Sequence, residues 1–257
     1  MRKIVLLILT VALIIAPLVG ASADDKIKKV KDDIKKSRIT SDTDDTTFFI
    51  IFYYWIEIYL KYTFSDGGFR YLNHPYQNGL MAYLVDEEIS PRPFALNCLF
   101  GYQNVNSKIE ATLFDIRLRC PSGSSFSLSY TVFEEQLDTG GYEYLSFYSF
   151  MQRASLISKQ PIDITLDFGV NHFPGMQRGG ISYGFGIELF PAPPLFFTFH
   201  LRQHLVATGQ DVTESFLGVG LVLRNFEPIF GFRVFDFHGF SGGVDLSGVV
   251  FAIQIRL

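Results

Sequence analysis

Residues Pro161 to Phe190 read PIDITLDFGV NHFPGMQRGG ISYGFGIELF. Ile162, Ile164, Leu166, Phe168 and Val170 fall at every second position, with Asp163, Thr165, Asp167, Gly169 and Asn171 between them. Past the Pro174-Gly175 and Gly179-Gly180 turn signals the alternation resumes. Ile181, Tyr183, Phe185, Ile187 and Leu189 then alternate with Ser182, Gly184, Gly186 and Glu188. A period of two sends successive side chains to opposite faces of a strand. The stretch is therefore an antiparallel hairpin with one oily face and one small or polar face.

The same unit recurs on both sides of it. Phe94, Leu96, Cys98, Phe100 and Tyr102 form one strand face, and Phe114, Ile116 and Leu118 alternate with Asp115, Arg117 and Arg119. Phe126, Leu128, Tyr130 and Val132 alternate with Ser127, Ser129 and Thr131. Tyr142 to Gln152 is a fourth strand with aromatics on both faces. Downstream, Phe197, Phe199 and Leu201 oppose Thr198, His200 and Arg202. Leu217 to Leu223 alternate with Gly218 and Gly220, and Phe230, Phe232 and Val234 with Gly231 and Arg233. The last strand sets Val249, Phe251, Ile253, Ile255 and Leu257 against Ala252, Gln254 and Arg256. Repeated strands of about ten residues with turn signals between them predict an all-β sandwich or barrel. Ten strands are counted, with eight or twelve as alternatives.

Which face looks outward decides the class. A soluble lipocalin-like barrel keeps its apolar face inside and its charges in water. A membrane barrel inverts this. After Lys61 the only lysines are Lys108 and Lys159, both in predicted turns. The non-apolar face is rich in Gly and Ser, which suits a narrow interior better than a solvated surface. The expectation is a closed, antiparallel, up-and-down transmembrane β-barrel over residues 94–257. Loop lengths agree in part. Pro191 to Pro194 and Asn225 to Glu227 are short, as periplasmic turns are. Glu134 to Gly141, His172 to Gly179 and Val206 to Val212 are longer and polar, as external loops are. Ala154 to Gln160 is longer than this rule wants.

Residues 1–23 carry the marks of a secretory signal peptide: Arg2 and Lys3, an apolar run from Ile4 to Val19, and Ala21-Ser22-Ala23 as a cleavage site. Residues 24–93 form an N-terminal periplasmic segment. Ile27, Val30 and Ile34 lie at helical spacing within Asp24 to Ser37, so a short helix or a solvated tail is expected there. Phe48 to Phe64 reads as an apolar helix at the water–lipid boundary or against the domain, with a strand as the alternative. An even strand number keeps this segment on the side of the C-terminus. If the first hairpin turns near Val105-Asn106, Cys98 faces Leu113. Cys120 then lies about 7 residues, or more than 20 Å, away, too far for a disulfide.

The signal peptide, the amphipathic strands and the apolar last strand resemble those of bacterial outer-membrane β-barrels. The resemblance implies an outer-membrane location with lipid as the surrounding partner. It also implies recognition by the barrel-assembly machinery through Val249, Phe251, Ile253, Ile255 and Leu257, although the family usually ends in Phe.

Net charge −4, with 48% hydrophobic and 16% aromatic residues, gives no footprint for nucleic acid. The predicted lumen holds Asp115, Arg117, Arg119, Asp163, Asp167, Glu188, His200, Arg202 and Arg233. Their expected role is a packed ion-pair network, because unpaired buried charge is costly; a selective polar pathway is the alternative. His200 and His204 share a face about 13 Å apart, too far to chelate one metal. No metal or cofactor is expected. Neither is catalysis: a lipid hydrolase would need a Ser beside a His, and only Ser182 or Ser149 near His200 could supply it. The expected role is structural or binding, through an external ligand the sequence does not name, with a small pore as the alternative.

Overall fold

The computed structural model describes residues 26–37, 75–76, 81–82, 95–119, 124–159, 162–174, 178–207, 210–223, 225–240 and 243–256. Ten strands run up and down in chain order: β1 (Ala95–Asn104), β2 (Ile109–Arg119), β3 (Ser124–Gln136), β4 (Tyr142–Lys159), β5 (Ile162–Phe173), β6 (Arg178–Ala192), β7 (Leu195–Ala207), β8 (Gln210–Leu221), β9 (Phe226–His238) and β10 (Gly248–Arg256). Each pairs antiparallel with its neighbours, and β10 pairs with β1, from Val249 opposite Asn104 to Arg256 opposite Asn97. The sheet thus closes into a barrel. Closure leaves these strands no edge with unpaired backbone groups. A two-residue strand, Val244–Asp245, adds to the end of β9 at Asp236 and Phe237. A separate two-residue pairing joins Met81–Ala82 to Pro75–Tyr76.

The orientation is the inverted one. Leu128, Leu166, Leu217, Leu221 and Phe251 are exposed on the outer face. Ser127, Asp163, Asp167, Arg202 and Arg233 are buried on the inner one. Tyr102, Tyr142, Tyr144, Tyr148 and Tyr183 lie on the outside toward one mouth. We call this the loop mouth, where β1, β3, β5, β7 and β9 end and β2, β4, β6, β8 and β10 begin. The other, the terminal mouth, holds the remaining strand ends, among them the start of β1 and the end of β10.

Three sequence expectations are corrected. The first hairpin turns later than expected, with Asn104 opposite Glu110, so Cys98 pairs with Ile116 and not Leu113. Asn106 explains the shift: its Oδ1 accepts from the amides of Lys108 and Ile109, both at 2.8 Å, which draws two further residues into the turn. Cys120 lies outside the described residues. Second, Ala154 to Lys159 is not loop but the end of β4, paired with β5 through a bulge at Ser155 to Ile157. Third, Val206 to Val212 is mostly strand, and only residues 208–209 separate β7 from β8. In both strand extensions the backbone ladder continues past the point where apolar alternation stops. Residues 1–23 and 48–64 and Leu257 lie outside the described residues.

The charged helix is real and its place differs from expectation. Helix α1 (Lys26–Ser37) packs at the loop mouth, away from the C-terminal end. Ile27 and Val30 are fully buried among Phe133, Leu145, Phe147 and Phe235. Burying two aliphatic side chains supplies about 3–6 kcal/mol before ordering costs. A 12-residue helix is marginal alone, so this packing sustains it. Its first turn has no acid of its own. Glu135 of β3, itself buried, supplies one: its two carboxylate oxygens accept from the amides of Lys26 and Ile27, both at 2.8 Å. A carboxylate there satisfies free amides and opposes the positive end of the helix dipole. Lys31 pairs with Glu143, and Lys26 Nζ donates to the Asp245 carbonyl at 3.0 Å.

Glu135→Ala should release α1 while the barrel persists. Hydrogen exchange over residues 26–33 should quicken by at least tenfold, with exchange in β5 to β8 unchanged.

Candidate functional site: the polar lumen

Alternation delivers every second side chain of ten strands into one narrow space. The upper layer, below α1, is aromatic. Phe133, Phe147, Phe173, Phe235, Phe237 and Phe240 contact one another with ring centroids 4.9 to 6.5 Å apart. The interior was expected to hold small and polar residues, yet these rings fall at its inward positions. Phe235 and Phe237 continue the parity of Arg233, past the point where the sequence pattern was read.

Beneath lies a layer of ion pairs centred on Glu214 of β8. Its Oε1 accepts from Arg233 Nε at 2.9 Å and Nη2 at 2.6 Å, and lies 3.2 Å from His200 Nε2. Its Oε2 lies 3.2 Å from His204 Nε2 and 3.5 Å from Arg202 Nη1. Arg202 Nε donates to Asp167 at 2.9 Å, and Arg153 Nε lies 3.2 Å from the same oxygen. Arg233 also donates to Thr131 and stacks 4.3 Å from the Phe235 ring centre. In a low-dielectric interior each of these charges needs such partners.

A polar cavity of about 80 Å³ occupies the half nearer the terminal mouth. Arg117 and Arg119 approach Glu188 at 3.5 and 3.6 Å. Asp163, Arg153, His200 and Arg256 also line it. Behind Arg256, Glu227 accepts from its Nη2 at 2.7 Å and lies 2.6 Å from its Nε. Asp115 accepts from Ser129 at 2.5 Å.

All nine residues named from sequence for the lumen are on the inward face. The structure joins Asp167, Arg202, His200 and Arg233 in the Glu214 layer. It joins Arg117, Arg119, Asp163 and Glu188 around the cavity, and leaves Asp115 with its serine. Sequence reading missed Glu214, although it shares the parity of Gly218 and Gly220 on β8. It missed Arg153 because β4 was ended one residue short.

Ser182 was considered beside His200 but lies beside His204. Asn171 Nδ2 donates to Ser182 Oγ at 3.0 Å, and Ser182 Oγ is 2.7 Å from His204 Nδ1. A neutral His204, accepting at Nδ1 and donating from Nε2 to Glu214, satisfies this chain. Ser182 and His204 are both fully buried, and Phe147 packs on the imidazole at 4.8 Å. Ser149 also points inward, and its hydroxyl has no hydrogen-bond partner among the described residues. Neither serine meets the lipid-facing side that a lipid hydrolase requires. Val249, Phe251, Ile253 and Ile255 face outward on β10.

No family model and no curated protein matches this chain. Among the solved structures that match, two show the distance of the similarity. One is a chain from a study of the in-meso crystallization of membrane proteins, 11% identical, with a TM-score of 0.29 over 64% of this chain and 82% of that one. The other is the outer membrane protease OmpT from Escherichia coli, 10% identical, with a TM-score of 0.31 over 66% of this chain and 97% of that one. The strand order, closure and inverted faces of this chain are themselves those of outer-membrane β-barrel architecture.

Glu214→Ala strands Arg233 in a buried layer without its main acceptor. It should cost about 3–5 kcal/mol in denaturant unfolding, and Glu214→Gln, which keeps an acceptor oxygen, should cost less.

Proposed function

We propose that this chain is an integral outer-membrane β-barrel with a structural or binding role and a lumen too filled to conduct. The observation that carries this reading is the inversion of faces. Leucine, phenylalanine and tyrosine cover the outside, and paired charges fill the inside. Tyrosines gathered toward the loop mouth fit the aromatic girdle at a lipid–water boundary, where a ring meets hydrocarbon and its hydroxyl meets water. Tyr102 follows this pattern, with its hydroxyl donating to Glu110 at 2.6 Å.

Conduction needs a continuous water path. The Glu214 layer and the aromatic layer beneath α1 each obstruct one. Export through a cleaved signal peptide and insertion by the assembly machinery, guided by the outward apolar face of β10, complete the proposal. Catalysis has no place in it, because the Ser182–His204 contact, the one found among the described residues, is buried in the lumen.

The protein should fractionate with outer membranes and migrate faster on gels before boiling than after. Recovery as a soluble periplasmic protein would end the membrane reading. Reconstituted into planar bilayers, it should pass no steady current; stepwise conductance would replace the closed barrel with a pore. Leu166→Arg, on the outer face, should cost about 2–4 kcal/mol for the barrel folded in lipid if the position lies near mid-bilayer. An unchanged stability would contradict lipid contact there.

A further inference from the structure

The cavity near the terminal mouth has a charge arrangement that the ion-pair layer above it lacks. Four guanidinium groups line it, from Arg117, Arg119, Arg153 and Arg256, against two carboxylates, Asp163 and Glu188. Arg153 and Arg256 are each held from behind, by Asp167 and Glu227. Arg117 and Arg119 share Glu188 at 3.5 and 3.6 Å, longer than a well-made charged hydrogen bond.

Two donors remain. Arg256 is 5% exposed, and among the described residues its Nη1 has no hydrogen-bond partner; nor has Arg117 Nε. A buried guanidinium N–H without a protein acceptor is costly, and an acceptor oxygen from a ligand would offset that cost. Ser124, Ser125 and Thr198 also line the cavity. Hydroxyls beside guanidinium forks are the usual company of a tetrahedral or planar oxyanion, whose several oxygens accept from many directions. A volume of about 80 Å³ has room for one such group.

We propose that this cavity is a binding site for a small oxyanion, phosphate or a terminal phosphomonoester, held by Arg117 and Arg256. The inference requires the folded lumen but not the membrane location, so detergent-folded protein tests it whatever fractionation shows.

The experiment is thermal melting of detergent-folded protein titrated with inorganic phosphate, with chloride exchanged to hold ionic strength constant. A parallel titration uses dihexanoyl phosphatidate, below its micelle concentration. The wild type should show a saturable rise in Tm. Arg117→Gln should raise the half-saturating phosphate concentration about tenfold or more, the loss expected for one charge-assisted hydrogen bond. Saturation by phosphate alone identifies the free ion as the ligand. Saturation by the lipid alone identifies a headgroup, and both outcomes support the site. A Tm response that never saturates and is identical in Arg117→Gln overturns it, since that is a general salt effect on a cavity holding only water. Should Arg117→Gln not fold, phosphorus NMR of inorganic phosphate with the wild type decides. Broadening relieved by excess unlabelled arsenate supports the site, and an unbroadened line rejects it.

Discussion

A carboxylate taken out of water must be given its charge partners by the protein, and Glu214 is where this demand is greatest. Two arginines and two histidines, Arg202, His200 and His204 from β7 and Arg233 from β9, converge on its two oxygens. None of these groups tolerates the interior alone. Together they tie β7, β8 and β9, and through Arg202 and Asp167 they reach β5. β7 and β9 are the ladder neighbours of β8, and from this cluster Arg233 reaches across the lumen to donate to Thr131 on β3.

The rest of the interior is arranged around that layer. Above it, aromatic rings and α1 exclude water and so strengthen the ion pairs. Below it, the wall opens into a cavity whose arginines are less fully satisfied. The polarity of the lumen therefore changes along the axis, from apolar at the loop mouth through paired charge to a basic pocket. Helix α1 obeys the same rule as the charges, since its free N-terminal amides enter the barrel only because Glu135 accepts from them.

The ladder and the faces were legible because alternation is a local property. Ile162 to Val170 and Ile181 to Leu189 state both the strand and its orientation, and the scarcity of lysine states which side faces outward. Ends of strands were less legible. Ser155 to Lys159 and Gln210 to Thr213 lose the apolar period as they approach a turn, yet the hydrogen bonds continue. The turn at Asn106 was misplaced because a side-chain amide, and not a glycine or proline, sets it.

By itself the sequence determined a set of amphipathic strands, which face of each looks outward, and nine of the polar side chains that fill the hole. These follow from the two-residue period and from the scarcity of lysine after Lys61, both of which are read locally. Only the tertiary structure decided which charges meet, that His200 and His204 turn to one carboxylate, that Ser182 belongs to His204, and that α1 closes the mouth remote from the C-terminus. Those are matters of strand stagger and of contacts across the barrel between residues far apart in the chain, and a local period says nothing about either.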